Sequence, residues 1–167
     1  VMEELTLQII HMGSGGEGIA RHKGFTFFVA GAIPGDVVLV EVVCRKKNYG
    51  TAVIKNIIRP SPHRVTPPCP VASRCGGCPL MAVDYPMQLE LKRLKVVDAL
   101  ERIGKLEGVT VAPCMASPES FHYRNKIQLP VRGKPGALQV GLFAKGSHHL
   151  IPIDACLIHG HEGEKAL

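Results

Sequence analysis

Over the first sixty residues apolar and polar positions alternate in short runs broken by glycine and proline, the period-2 pattern of half-buried strands. Leu5, Leu7 and Ile9 alternate with polar neighbours. Residues 13–18 hold four glycines and predict a loop; Ile19 and Ala20 resume a strand, and residues 21–24 turn the chain. A third run covers residues 25–29, a second turn residues 31–36, and residues 37–43 form a nearly continuous apolar strand expected to be buried on both faces. A turn over 46–50 leads into a fifth strand over 51–58. Five short strands with such turns predict a small OB-like barrel over residues 1–60, since closure removes unpaired edges.

The pattern then changes. Residues 59–68 contain four prolines and no periodicity, which predicts a stiff linker over 61–68. From Asp84 to Ile103 the spacing becomes helical, with Met87, Leu91, Leu94 and Val97 on one side and Leu89, Val96, Leu100 and Ile103 on another. Asp84 suits the N-cap, Pro86 the first turn and Gly104 the end. Apolar residues on both faces predict a helix packed between a cysteine-bearing loop and a small sheet. The sheet is expected over residues 126–131, 138–143 and 149–153. The fold class is therefore mainly β with an α+β second module over 69–167.

Charge adds a partner class. The chain carries 20 Lys plus Arg against 14 Asp plus Glu, a formal +6 with pI near 9.1, which favours an acidic partner, nucleic acid first. Between Glu41 and Asp84 there is no acidic residue, while Arg45, Lys46, Lys47, Lys55, Arg59, Arg64 and Arg74 supply a phosphate-facing surface. A basic run can equally be a plain solvated face. Small barrels bind single-stranded nucleic acid through charged loops and a stacking aromatic. Tyr49, among Lys46, Lys47 and Lys55, either stacks on a base or caps the barrel. The N-terminal Glu3 and Glu4 precede any apolar run, and no stretch approaches the roughly 20 apolar residues that span a bilayer, so a cytoplasmic, membrane-free monomer is expected.

The chemistry is concentrated in cysteines. Cys69, Cys75 and Cys78 lie within ten residues of one another, with Cys156 far downstream. In a reducing compartment such a set points to metal rather than disulfides. Grouped thiolates repel unless a cation neutralises them, and Gly76 and Gly77 let backbone amides approach sulfur. Zinc accepts the same four thiolates, although structural zinc sites usually pair two short spacers, so the spacing favours an iron–sulfur cluster. Cys44 and Cys114 have no second thiol nearby and suit packing. His148 and His149 suit solvated or RNA-contacting roles, and nothing in sequence supplies His159 and His161 with a partner set.

Several ordered motifs resemble a known family. Gly16-Glu17-Gly18-Ile19-Ala20-Arg21, the run from Phe28 to Asp36, and Tyr49-Gly50-Thr51-Ala52 resemble the TRAM module, an RNA-binding barrel. The cysteine spacing, Tyr123-Arg124-Asn125-Lys126, Val140-Gly141-Leu142-Phe143 and Ile153-Asp154-Ala155-Cys156 resemble the central domain of bacterial 23S ribosomal RNA uracil-C5 methyltransferases.

That resemblance implies a [4Fe–4S] cluster on Cys69, Cys75, Cys78 and Cys156, with Arg124 and Lys126 helping to grip an unfolded, single-stranded segment of ribosomal RNA. Arg45, Lys46, Lys47, Tyr49 and Lys55 would do so from the barrel. Members of the family carry a Rossmann-like domain that binds S-adenosylmethionine and supplies a catalytic cysteine and a base. No motif of that domain occurs here, so the chain is expected to lack catalytic residues and to be inactive alone. The alternatives are an electron-transfer or redox-sensing module on an RNA-binding barrel, or a zinc-stabilised binding protein.

Overall fold

The computed structural model describes residues 3–165. Two compact units result, one from the residues up to Thr66 together with Pro79–Met115, the other from Pro67–Cys78 together with the residues from Ala116 on.

In the first unit five strands, β1 (Glu4–Met12), β2 (Gly18–His22), β3 (Phe25–Ala30), β4 (Val37–Arg45) and β5 (Tyr49–Arg59), close into a barrel of order β1-β2-β3-β5-β4. All ladders are antiparallel except β3 with β5, and β1 pairs with β4 to complete the circle. Alternation places Leu7, Ile9, Ala20, Phe27, Val29, Val38, Val40 and Ala52 inside, each at most 3% exposed. Burying a side chain of Val, Leu, Ile or Phe size contributes about 1.5–3 kcal/mol, so these residues dominate the unit's stability. Gly50 lies opposite Phe27 in the register, and a Cβ there would come 2.8 Å from the Phe27 ring.

Two expectations need correction. β4 is not buried on both faces: Val38 and Val40 point inward while Val43 is 62% exposed, because a small barrel has only one interior. β5 begins at Tyr49, so residues 49 and 50 belong to a strand rather than to the preceding turn.

Residues 61–66 are docked rather than free. Asp36, fully buried, accepts hydrogen bonds from the amides of Ile33 at 2.8 Å and Ser61 at 2.9 Å and from Arg64 Nε at 3.0 Å. Arg64 Nη2 also bonds Asp36 and donates to the Gly31 carbonyl at 2.9 Å. The same segment runs alongside residues 82–84: Val65 donates to the Ala82 carbonyl and Asp84 to the His63 carbonyl, each at 2.9 Å.

The helix α1 (Tyr85–Asp98) starts as predicted, with Asp84 Oδ1 accepting the Met87 amide at 2.8 Å and Pro86 in the first turn. It continues through a π-helical turn over Ala99–Ile103, before Gly104. No residue of α1 is buried, and the helix belongs to the barrel's unit instead of the second module to which the sequence assigned it. The two-sided apolar pattern reflects partial cover: Leu94 is 38% and Val96 49% exposed.

The second unit holds a three-stranded antiparallel sheet, β6 (Val131–Lys134), β7 (Ala137–Phe143) and β8 (Leu150–Pro152), in sequence order. Pro135-Gly136 turns β6 into β7, with Gly136 at φ 85°, the left-handed value glycine adopts freely. The first strand begins at 131 instead of 126. The backbone before it is committed elsewhere: the amides of His122 and Arg124 donate to the Leu157 and Ile158 carbonyls at 2.9 Å, and the Gly160 amide to the Arg124 carbonyl at 2.8 Å. A short helix, α2 (His161–Glu164), follows.

Candidate functional site

The basic stretch divides into paired and unpaired cations. Arg45 makes a bidentate bridge to Glu3, Nε to Oε2 at 2.9 Å and Nη2 to Oε1 at 2.8 Å, and its guanidinium lies 5.0 Å from the Phe25 ring centroid. Lys55 bridges Glu4 at 2.6 Å and Glu41 at 3.7 Å, and the hydrogen bond it donates to Glu4 raises its pKa above the ordinary lysine value. Arg64 is held by Asp36. Burial alone would raise the Asp36 carboxyl, but Arg64 and the amides of Ile33 and Ser61 outweigh it and hold the carboxyl below the usual carboxylate range. Lys46, Lys47 and Arg59 are exposed and carry no ion pair among the described residues, so of the expected cations on the barrel these are left available. The sequence missed the pairings because the acidic partners Glu3, Glu4 and Asp36 lie outside the basic stretch.

Tyr49 settles one alternative. It is 41% exposed at the start of β5 and stands edge-on to Phe28, ring centroids 5.5 Å apart at 85°. Phe27, not Tyr49, fills the barrel interior, so Tyr49 is an outward aromatic beside Lys46 and Lys47 rather than a cap.

In the second unit Cys69, Cys75 and Cys156 lie within electrostatic reach of Cys78. Cys69, Cys75, Cys78 and Cys156 are all half-buried free thiols. The Cys78 thiol is pushed up to about 11, first by burial and then by the nearby Cys156, Cys75 and Cys69, with Arg124 opposing. A thiolate of Cys78 would thus face three others with one guanidinium to offset them. The loop that carries it is pinned by backbone: the Cys75 amide donates to the Val71 carbonyl at 2.8 Å and the Gly76 amide to the Phe143 carbonyl at 3.1 Å. The Gly77 amide donates to Cys75 Sγ at 3.3 Å, the amide-to-sulfur contact expected from the glycine pair. A Cβ at Gly76 would sit 3.0 Å from the Lys145 backbone, so any side chain there would push that backbone back by a few tenths of an ångström.

Beside the glycine pair lies an open depression of about 480 Å³ lined by Leu142, Phe143, Lys145 and His148. His148 stands edge-on to Phe143 at 5.3 Å. Arg124 lies within electrostatic reach of Cys78 and of buried His159, where burial first and Arg124 second depress the imidazole pKa. Lys126 is exposed. Cys44 and Cys114 are half-buried thiols outside the set.

These observations meet those from known proteins. The family model of the TRAM domain matches residues 1–55. The chain is 44% identical to an uncharacterized RNA methyltransferase of Gloeobacter violaceus, over 92% of this chain and 34% of that protein. A second, from Halalkalibacterium halodurans, is 42% identical over 91% of this chain and 33% of its own length. The chain resembles the RNA methyltransferases. Among solved structures, the Pyrococcus abyssi tRNA (uracil-54, C5)-methyltransferase in complex with S-adenosyl-L-homocysteine aligns with a TM-score of 0.59 and 32% identity, over 96% of this chain and 34% of that one. The chain spans about a third of the length of the relatives it matches.

Within this methyltransferase-like chain, the TRAM barrel presents Tyr49, Lys46 and Lys47, and the cysteine unit presents the four thiols. No helix among the described residues is long and apolar enough to cross a membrane. Sequence reasoning missed one further constellation. His122, His161 and Glu164 place their ligand atoms within 4.8 Å of one another. Its only sequence signal is the i,i+3 spacing of His161 and Glu164, since His122 is brought in by tertiary pairing.

Proposed function

We propose that this chain is the RNA-gripping, [4Fe–4S]-binding portion of an S-adenosylmethionine-dependent RNA uracil-C5 methyltransferase acting on ribosomal RNA. The single observation that carries the reading is the convergence of Cys69, Cys75, Cys78 and Cys156, from two distant segments, on one half-buried locus. The donor set fits the group. Four cysteines, an amide donated to Cys75 sulfur and a nearby guanidinium are the surroundings such clusters use.

The five- and two-residue spacers between Cys69, Cys75 and Cys78, with the fourth cysteine far downstream, favour the cluster over a single zinc ion, whose structural sites usually pair two short spacers. Bound there, a cluster would neutralise four thiolates and tie residues 69–78 to residue 156.

The barrel residues act on RNA by their own chemistry. Lys46 and Lys47 would neutralise phosphates, and Tyr49 offers a π-face for an unstacked base. In the other unit Arg124 and Lys126 are exposed cations that would contact RNA there. A uracil inside folded RNA must leave its stack before any reaction at C5, at a cost of a few kcal/mol that such contacts would supply. The methyl donor and the reacting cysteine belong, on this reading, to a further domain of the whole protein.

The resemblance to a tRNA enzyme gives tRNA as a second reading of the substrate. Whole protein incubated with labelled S-adenosylmethionine and either ribosomal RNA or tRNA transcripts decides between them. 5-Methyluridine in ribosomal RNA is expected; product in tRNA alone would reassign the substrate, and product in neither would overturn the activity.

A further inference from the structure

The cysteine unit carries a second constellation that neither the RNA contacts nor the thiol set uses. His122, half-buried, His161, exposed, and Glu164, half-buried, bring one ligand atom each to within 4.8 Å of the others. His161 and Glu164 share one face of α2 because they are three residues apart. His122 comes from a segment 39 positions before His161, delivered by the amide bond of His122 to the Leu157 carbonyl at 2.9 Å.

One ring nitrogen of His122 is already engaged. Its Nδ1 lies 3.0 Å from the His159 carbonyl oxygen, which can only accept, so Nδ1 is the donor of that bond and Nε2 is the nitrogen left to a metal. A ring N–H donated to a backbone carbonyl is the outer contact that metal-bound histidines use to fix tautomer and orientation. The His122 and His161 rings stack with centroids 4.4 Å apart at 21°. The neighbouring Glu162 is committed to Lys165 at 2.7 Å, which leaves Glu164 as the carboxylate of the site.

We propose that His122, His161 and Glu164 bind a divalent transition-metal ion, zinc by preference, distinct from the group on the four cysteines. Two imidazoles and one carboxylate select zinc and its neighbours over magnesium or calcium, whose sites are built from oxygen. Nitrogen and oxygen ligands at roughly 2.0–2.2 Å from zinc require the three atoms to draw closer and the exposed His161 ring to turn out of its stack on His122, so that both nitrogen lone pairs aim at one ion. Three protein ligands leave a position for water. The ion would clamp α2 to the 122–124 segment, which also pairs with the loop following Cys156.

Metal-free intact protein with reduced thiols is titrated with Zn²⁺ against a chromophoric chelator, and with Co²⁺ followed by visible absorption. Relative to wild type, His161→Ala and Glu164→Gln should each lose one zinc equivalent, whatever number the cysteines take. The Co²⁺ signal lost in these variants should contain no sulfur-to-cobalt charge-transfer band. Affinity at this site should fall by more than the roughly 10- to 100-fold that loss of an outer contact costs. His161 is exposed and Glu164 lies on a short terminal helix, so both variants are expected to fold; Glu162→Gln, whose partner is Lys165, should bind zinc like wild type. Equal stoichiometry and affinity in wild type, His161→Ala and Glu164→Gln would overturn the proposal, as would a loss in Glu162→Gln as large as in Glu164→Gln.

Discussion

Arg64 reaches back across 28 positions to Asp36 and supplies the cation for a carboxylate that has no access to water. The pair fixes the chain's exit from the TRAM barrel, because Ser61 and Arg64 bond the same carboxylate. Arg64→Ala leaves a buried charge without its partner, a loss of about 3 kcal/mol at neutral pH, somewhat moderated by the partial exposure of Arg64. Urea midpoints of wild type and variant check it. The pH dependence has a defined sign. Asp36 is held below its ordinary value of 3.8, so its contribution is present above that value and is lost as pH falls through the lower folded value. The stability gap between wild type and Asp36→Asn should therefore close in acid below about pH 3.8.

Charge on the barrel divides into used and unused cations, and RNA binding should follow the division. Lys46→Ala with Lys47→Ala should reduce the slope of log affinity against log salt by about 1.4, at about 0.7 per phosphate on a single strand. Lys55→Ala should reduce it by less, because Glu4 and Glu41 already occupy that ammonium. Filter binding to a single-stranded RNA across a salt series measures both slopes, and a larger loss at Lys55 would contradict the assignment.

Tyr49 is an outward aromatic, so its removal should be felt in binding more than in folding. Tyr49→Ala should weaken RNA affinity by about 1–3 kcal/mol, the usual value of one base stacked on an aromatic ring. The melting temperature should move little, since Phe27 and not Tyr49 fills the core. A large drop in melting temperature with unchanged affinity would assign Tyr49 to packing.

Gly76 allows the cysteine loop to lie against the Lys145 backbone. Gly76→Ala forces that contact apart, and overpacking of this kind costs about 1–3 kcal/mol. Iron retained per chain after anaerobic reconstitution should fall, while RNA affinity of the barrel stays within error of wild type. Full iron content in Gly76→Ala would show that the loop tolerates displacement.

Local pattern carried the barrel well, because alternation with glycine and proline turns defines strands and closure follows from their number. It failed where burial depends on what covers a face: residues 37–43 read as apolar throughout, yet Val43 faces solvent. The same ambiguity misplaced α1, whose apolar residues are only partly covered. Three of the four cysteines share one loop in sequence, so their spacing suggests a common ligand without any tertiary information. The pairing of Arg45, Lys55 and Arg64 was not, because their carboxylates lie 42, 51 and 28 positions away. His122 was invisible for the same reason: its neighbours come from backbone pairing between residues 122–124 and 157–160, which no local period announces.

The central claim is that Cys69, Cys75, Cys78 and Cys156 hold an iron–sulfur cluster, and its most direct test is iron and acid-labile sulfide analysis of anaerobically purified protein beside the Cys156→Ser variant. About four irons and four sulfides per chain with broad visible absorbance are expected in wild type, and loss of both in the variant. A colourless protein with one zinc on the cysteines, or iron and sulfide unchanged in Cys156→Ser, would contradict it.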